Sequence, residues 1–112
     1  MITIYHNPRC SKSRQALEIL ENSKKEFEIK EYIREGLSKE EIERLQKLLG
    51  LNVLDFLRQK ETEFKETKID WKDNSLATQK LIELPKLLER PIVINGDKAV
   101  IGRPPENIKA II

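Results

Sequence analysis

Cys10 is the only cysteine in the chain, and it lies where a short strand over Ile2–Tyr5 passes through Asn7-Pro8 into the first turn of a helix. A helix N-terminus leaves amide N–H groups without partners and carries partial positive charge, so it favours an ionised sulfur and any oxyanion brought up to it. Arg9 and Lys12 flank the position, and Ser11 and Ser13 offer hydroxyls. Ser13 falls one helical turn beyond Cys10, where its hydroxyl is expected to hydrogen-bond the sulfur. His6 has two readings, an electrostatic aid to the thiolate or packing at the strand end. Asn7 and Pro8 read as residues that shape the loop. A small apolar role, the ordinary fate of a free cysteine, fits poorly among such neighbours.

Composition narrows the chemistry. The chain has 112 residues, with 36% charged and 38% hydrophobic side chains, and its formal charge of +2 comes from 21 basic and 19 acidic groups spread throughout. That is not the basic stripe of a nucleic-acid binder, and aromatic residues, at 5%, are too few to interleave one. One histidine and one cysteine cannot supply the usual ligand sets of a structural metal site. No apolar run approaches a membrane span and no charged-then-apolar leader precedes the first strand, so the expected location is the cytoplasm. A lone cysteine forms no internal disulfide.

The elements that must position Cys10 follow from periodicity. Ala16, Leu17, Ile19 and Leu20 mark an amphipathic helix to about residue 22, and Phe27, Ile29 and Tyr32 alternate with charged residues as a second strand. This βαβ order favours parallel pairing. Ser38 and Glu41 form a capping box ahead of a helix with Ile42, Leu45, Leu48 and Leu49, which ends near Gly50. Val53–Leu57 reads as a short helical turn, and the charged stretch after Arg58 has no clear element. Asp73, Asn74 or Ser75 caps a further helix that Pro85 ends. Asn95-Gly96-Asp97, between two apolar runs, is a hairpin signal, and Pro104-Pro105 starts a C-terminal helix carrying Ile108 and Ile111.

That order predicts an α/β protein of thioredoxin-like fold: a four-stranded mixed sheet, βαβ then ββα, in one domain over residues 1–112 with a helical insert at about 36–88. Such folds place a cis-proline before the third strand, which predicts a cis peptide between Arg90 and Pro91. Three segments, ITIYHNPRCSKSR at the start, FLRQK in the middle, and RPIVING followed by AVIGRPPE near the end, resemble the glutaredoxin-coupled arsenate reductase family over essentially the whole chain.

The resemblance implies that Cys10 is the nucleophile, that Arg58, Arg90 and Arg103 bind the oxyanion, and that Ser13 and His6 favour the thiolate. A guanidinium offers charge and a planar fork of N–H donors, which suits a tetrahedral arsenate or phosphate. With no second cysteine to resolve a thiol–arsenate adduct, an external thiol is required; the resemblance implies glutathione as co-substrate and glutaredoxin as partner, with no bound cofactor. Two alternatives stand beside it. One is a monothiol, glutaredoxin-like oxidoreductase, reading Cys10-Ser11-Lys12-Ser13 as the motif. The other is a regulator of the Spx type, which binds RNA polymerase; Ser13 stands where redox-sensing members carry a second cysteine. The phosphatase loop, cysteine and then arginine six positions on, is absent, because that position is Ala16.

Overall fold

β1 (Ile2–Tyr5) is an inner strand in the computed structural model, which describes all 112 residues. It is followed by α1 (Ser11–Ser23) and β2 (Phe27–Lys30), and the sheet is completed by β3 (Ile92–Asn95) and β4 (Lys98–Ile101) in the order β2-β1-β3-β4. β1 pairs with β2 in parallel, Ile2 opposite Phe27 and Ile4 opposite Ile29. It pairs with β3 antiparallel, Ile4 opposite Val93, and β3 returns to β4 through the Asn95-Gly96 turn, where Gly96 takes φ 62°. A residue without Cβ adopts that angle at least cost. The mixed sheet and its thioredoxin-like topology agree with the expectation from sequence.

The chain divides into two compact units, residues 1–35 with 90–112, and residues 36–89. In the first, side chains alternate across each strand, so Ile2, Ile4 and Val93 share a face and meet Ala16 and Leu20 of α1 and Ile108 of the C-terminal segment. Burying one side chain of this kind contributes about 1.5–3 kcal/mol, so the same contacts that seal the core fix α1 against the sheet. The C-terminal segment over Pro105–Ala110 is a 3-10 helix, where an α-helix was expected, and Asn95 Nδ2 donates to the Ile111 carbonyl at 2.6 Å. Tyr32, expected on the second strand, instead opens the short helix α2 (Tyr32–Glu35) and is fully buried. The strand stops at Lys30 because the next residues turn. The Glu35 side chain accepts from the Glu31 amide at 2.9 Å, and the Arg34 and Glu35 amides both return to the Glu31 carbonyl.

The second unit is helical. α3 (Lys39–Leu49) opens with the expected capping box, Ser38 and Glu41 exchanging side-chain and amide bonds at 3.1 Å, and closes on Gly50. A 3-10 turn over Val53–Phe56 leads to Leu57, which bridges to Leu88. α4 (Thr62–Glu66), which the sequence did not reveal, is followed by α5 (Asn74–Glu83), whose N-cap is Asp73, accepting from the Ser75 and Leu76 amides. Ile42, Leu45, Val53, Phe56, Leu81, Leu87 and Leu88 are fully buried. Phe64 and Trp71 stack with ring centroids 4.3 Å apart. No helix is long and apolar enough to cross a membrane.

Candidate active site

The loop that carries Cys10 begins where β1 ends. The His6 amide still pairs with the Lys30 carbonyl at 2.9 Å, continuing the sheet for one residue before the chain turns away. Asn7 then organises the turn from three sides: its carbonyl accepts from the Cys10 amide at 3.0 Å, its side-chain oxygen accepts from the Arg9 amide at 3.0 Å, and its own amide donates to Ser13 Oγ at 3.0 Å. An Asn side chain bonded two residues on is an Asx turn, which favours this reversal. Arg14, one turn into α1, donates to the Pro8 carbonyl at 2.9 Å and ties the loop back to the helix.

Cys10 is therefore the N-cap of α1, with φ −96° and ψ 123°, and its carbonyl accepts the first helical bond from Arg14 at 3.0 Å. Its sulfur stands where a capping serine or aspartate would put an oxygen. Only 8% of the residue is exposed, and burial by itself pushes the thiol up. The Ser13 amide, the charge of Arg90, the Lys12 amide and a hydrogen bond from Arg90 act in the other direction and prevail, so the thiol titrates below its ordinary range. Cys10 is buried, but in polar company.

Ser13 and His6, both singled out from the sequence, meet each other through their side chains. The Ser13 hydroxyl, expected on the sulfur, is turned to His6 Nδ1 at 2.6 Å and accepts the Asn7 amide. Helical side chains point back toward the N-terminus, which carries this fully buried hydroxyl to the strand end, where that amide needs an acceptor. What Ser13 offers the sulfur is its backbone N–H. His6, read from the sequence either as an electrostatic aid or as packing at the strand end, is 5% exposed, and burial holds its imidazole below the ordinary histidine range; Glu31 opposes that shift and Arg14 adds to it. A neutral ring lends no cation. His6 acts on the loop through Ser13.

The arginines fall in both units. Arg90 and Arg103 belong with Cys10 to the sheet unit, and Arg103 Nη1 donates to the Arg90 carbonyl at 3.2 Å. Both precede prolines through cis peptides; the one before Pro91 was expected and the one before Pro104 was not. Pro91 also accepts the Gly102 amide at 2.8 Å, and a Cβ on Gly102 would sit 2.8 Å from its ring, so this glycine permits a close approach that no motif announced. A glycine directly after a strand and before Arg-Pro was the available signal. Arg58 lies in the helical unit, where its amide donates to the Leu87 carbonyl at 2.7 Å and its guanidinium pairs with Glu61 and reaches the Lys86 carbonyl at 3.5 Å. Beside it Lys86 bonds Glu63 at 2.7 Å. Glu61, Glu63 and Lys86 were not singled out by the sequence. No grouping of His, Cys, Asp and Glu could hold a metal ion.

A mixed sheet with one cysteine capping the helix after its first strand defines a thioredoxin-like protein that carries a single thiol. A family model described as the ArsC family matches residues 5–111, and the chain belongs to that family. It is 43% identical over 114 residues to an arsenate reductase of Haemophilus influenzae, covering 99% of this chain and 98% of that one. It is 42% identical over 116 residues to the uncharacterized protein YfgD of Escherichia coli (strain K12), covering 99% and 96%. A solved arsenate reductase from Vibrio cholerae superposes with a TM-score of 0.89 at 41% identity, over 99% of this chain and 97% of that structure.

Proposed function

We propose that this protein is an arsenate reductase that works through a covalent cysteine–arsenate intermediate and draws its electrons from glutathione and glutaredoxin. The observation that carries the reading is the Cys10 sulfur, ionised at lower pH than an ordinary thiol by the α1 amides and Arg90. Whole-length likeness to proteins named arsenate reductases supports the substrate. Arg58, Arg90 and Arg103 are the proposed oxyanion ligands, and their charge lowers the barrier to forming an anionic adduct.

In the first step the Cys10 thiolate attacks arsenic, a sulfur–arsenic bond forms, and one arsenate oxygen leaves, protonated, as water. Arsenic is still pentavalent at this point. Two external thiols then supply two electrons; they end as one disulfide, arsenic leaves as trivalent arsenite, and Cys10 returns to its thiol form. Glutathione opens this second stage and glutaredoxin closes it. The chain contains one cysteine, so the two electrons do not come from oxidising a pair of its own thiols to a disulfide. These reductants belong to the cytoplasm, where we place the protein.

Steady-state arsenate reduction with glutathione and glutaredoxin tests the reading. Multiple turnovers are expected with both thiols, none when both are omitted, and none with Cys10→Ser. An active Cys10→Ser variant overturns the mechanism.

A further inference from the structure

Arg58 is already occupied by an anion. Its Nη2 pairs with Glu61 Oε1, and the two side chains are 23% and 21% exposed, so the pair is largely withdrawn from water. The backbone enforces the meeting, since the Glu61 amide donates to the Arg58 carbonyl at 3.1 Å and closes the turn that leads into α4. A carboxylate offers a guanidinium edge the same oxygen spacing that an oxyanion does.

We propose that Glu61 is an internal competitor for the oxyanion: it holds Nη2 of Arg58, and an incoming anion binds by displacing it. This rests on the reading of Arg58 as an oxyanion ligand. A displaced carboxylate needs another cation nearby. Lys86 is bonded to Glu63 at 2.7 Å, and its ammonium form is favoured first by Glu63 and further by the charge of Glu61. The Glu63 carboxyl, held low chiefly by its hydrogen bond from Lys86, also feels Arg58. Two cations and two carboxylates thus share one field, and Glu61 can leave Arg58 without being stranded.

Displacement sets a threshold that selects among anions. A tetrahedral dianion, with two charges and several oxygens, competes well against a tethered carboxylate. Chloride, with one charge and no fork to match, competes poorly. Glu61 is in this sense a specificity-determining residue.

The test uses the full chain with Cys10 as reporter, measuring how much arsenate half-protects it from iodoacetamide, alongside kcat and KM. In Glu61→Gln the half-protecting concentration and KM are expected to fall about threefold to tenfold, as expected for removing one partly screened ion pair, with kcat moving less. Chloride is expected to begin protecting at lower concentration. Glu61→Asp keeps the charge but shortens the reach, and should fall between Glu61→Gln and the parent. If both Glu61 variants bind arsenate no more tightly while Arg58→Gln weakens it, the competitor role is overturned and the Arg58 reading stands. If Arg58→Gln leaves arsenate affinity unchanged, both are overturned. Lowered thermal stability in the Glu61 variants with unaltered arsenate affinity marks a merely structural pair and also overturns the proposal.

Discussion

A thiol becomes a nucleophile at neutral pH when its surroundings prefer the ionised form, and around Cys10 that preference comes from two amides and a guanidinium working against burial. The sign follows directly. A lowered pKa means that the alkylation rate climbs with pH, reaches half its plateau below the ordinary thiol range, and levels off once Cys10 is fully ionised. Arg90→Gln removes a charge and a hydrogen bond from the thiolate, so the midpoint should move up and the rate at neutral pH should fall several-fold, as read from iodoacetamide kinetics across pH. An unmoved midpoint would remove Arg90 from the account. The sequence made the candidate position legible because a helix start is a local feature. It did not reveal where the Ser13 hydroxyl points, since that depends on a side-chain direction and on an Asn7 amide left needing an acceptor at the strand end. Nor did it show that His6 is neutral, because burial is a property of the packed sheet unit.

At the scale of elements, what could be read from sequence was what carries its own punctuation. Ser38 with Glu41, Asn95-Gly96 and the apolar stripe of α1 each declare an element within a few residues. Tyr32 misled because alternation outlasts the strand, whose end is set by the Glu31–Glu35 turn. α4 was invisible because five largely charged residues hold no stripe, and its neighbourhood is organised by the Phe64–Trp71 stack and the Lys86–Glu63 pair. Gly102 belongs at this scale too. It joins β4 to the C-terminal segment, and a methyl group there would meet the Pro91 ring at 2.8 Å and Ile108 Cγ2 at 3.2 Å. Gly102→Ala should destabilise the fold by about 1–3 kcal/mol through overpacking, measured by denaturant melts, and should slow Cys10 alkylation because Pro91 is covalently joined to Arg90. Unchanged stability would mean that the proline ring yields freely.

For the whole molecule, the four-stranded mixed sheet could be read from the order of elements, but nothing in that order marks Arg58, Arg90 and Arg103. They are far apart in sequence, and only the likeness of three segments to a family singled them out from eighteen other basic residues among 21. We propose that the sheet unit and the helical insert act as one domain. The chain has one tryptophan and two tyrosines; Trp71 lies in residues 36–89, and Tyr5 and Tyr32 lie in the other unit. Thermal unfolding followed by both chromophores should give one shared midpoint, as all-or-none melting of a small domain requires. Two midpoints would show the insert melting alone. Red-edge excitation selects the indole and leaves the phenols dark, so the insert can be watched by itself in an unmodified sample, with no dye or label attached.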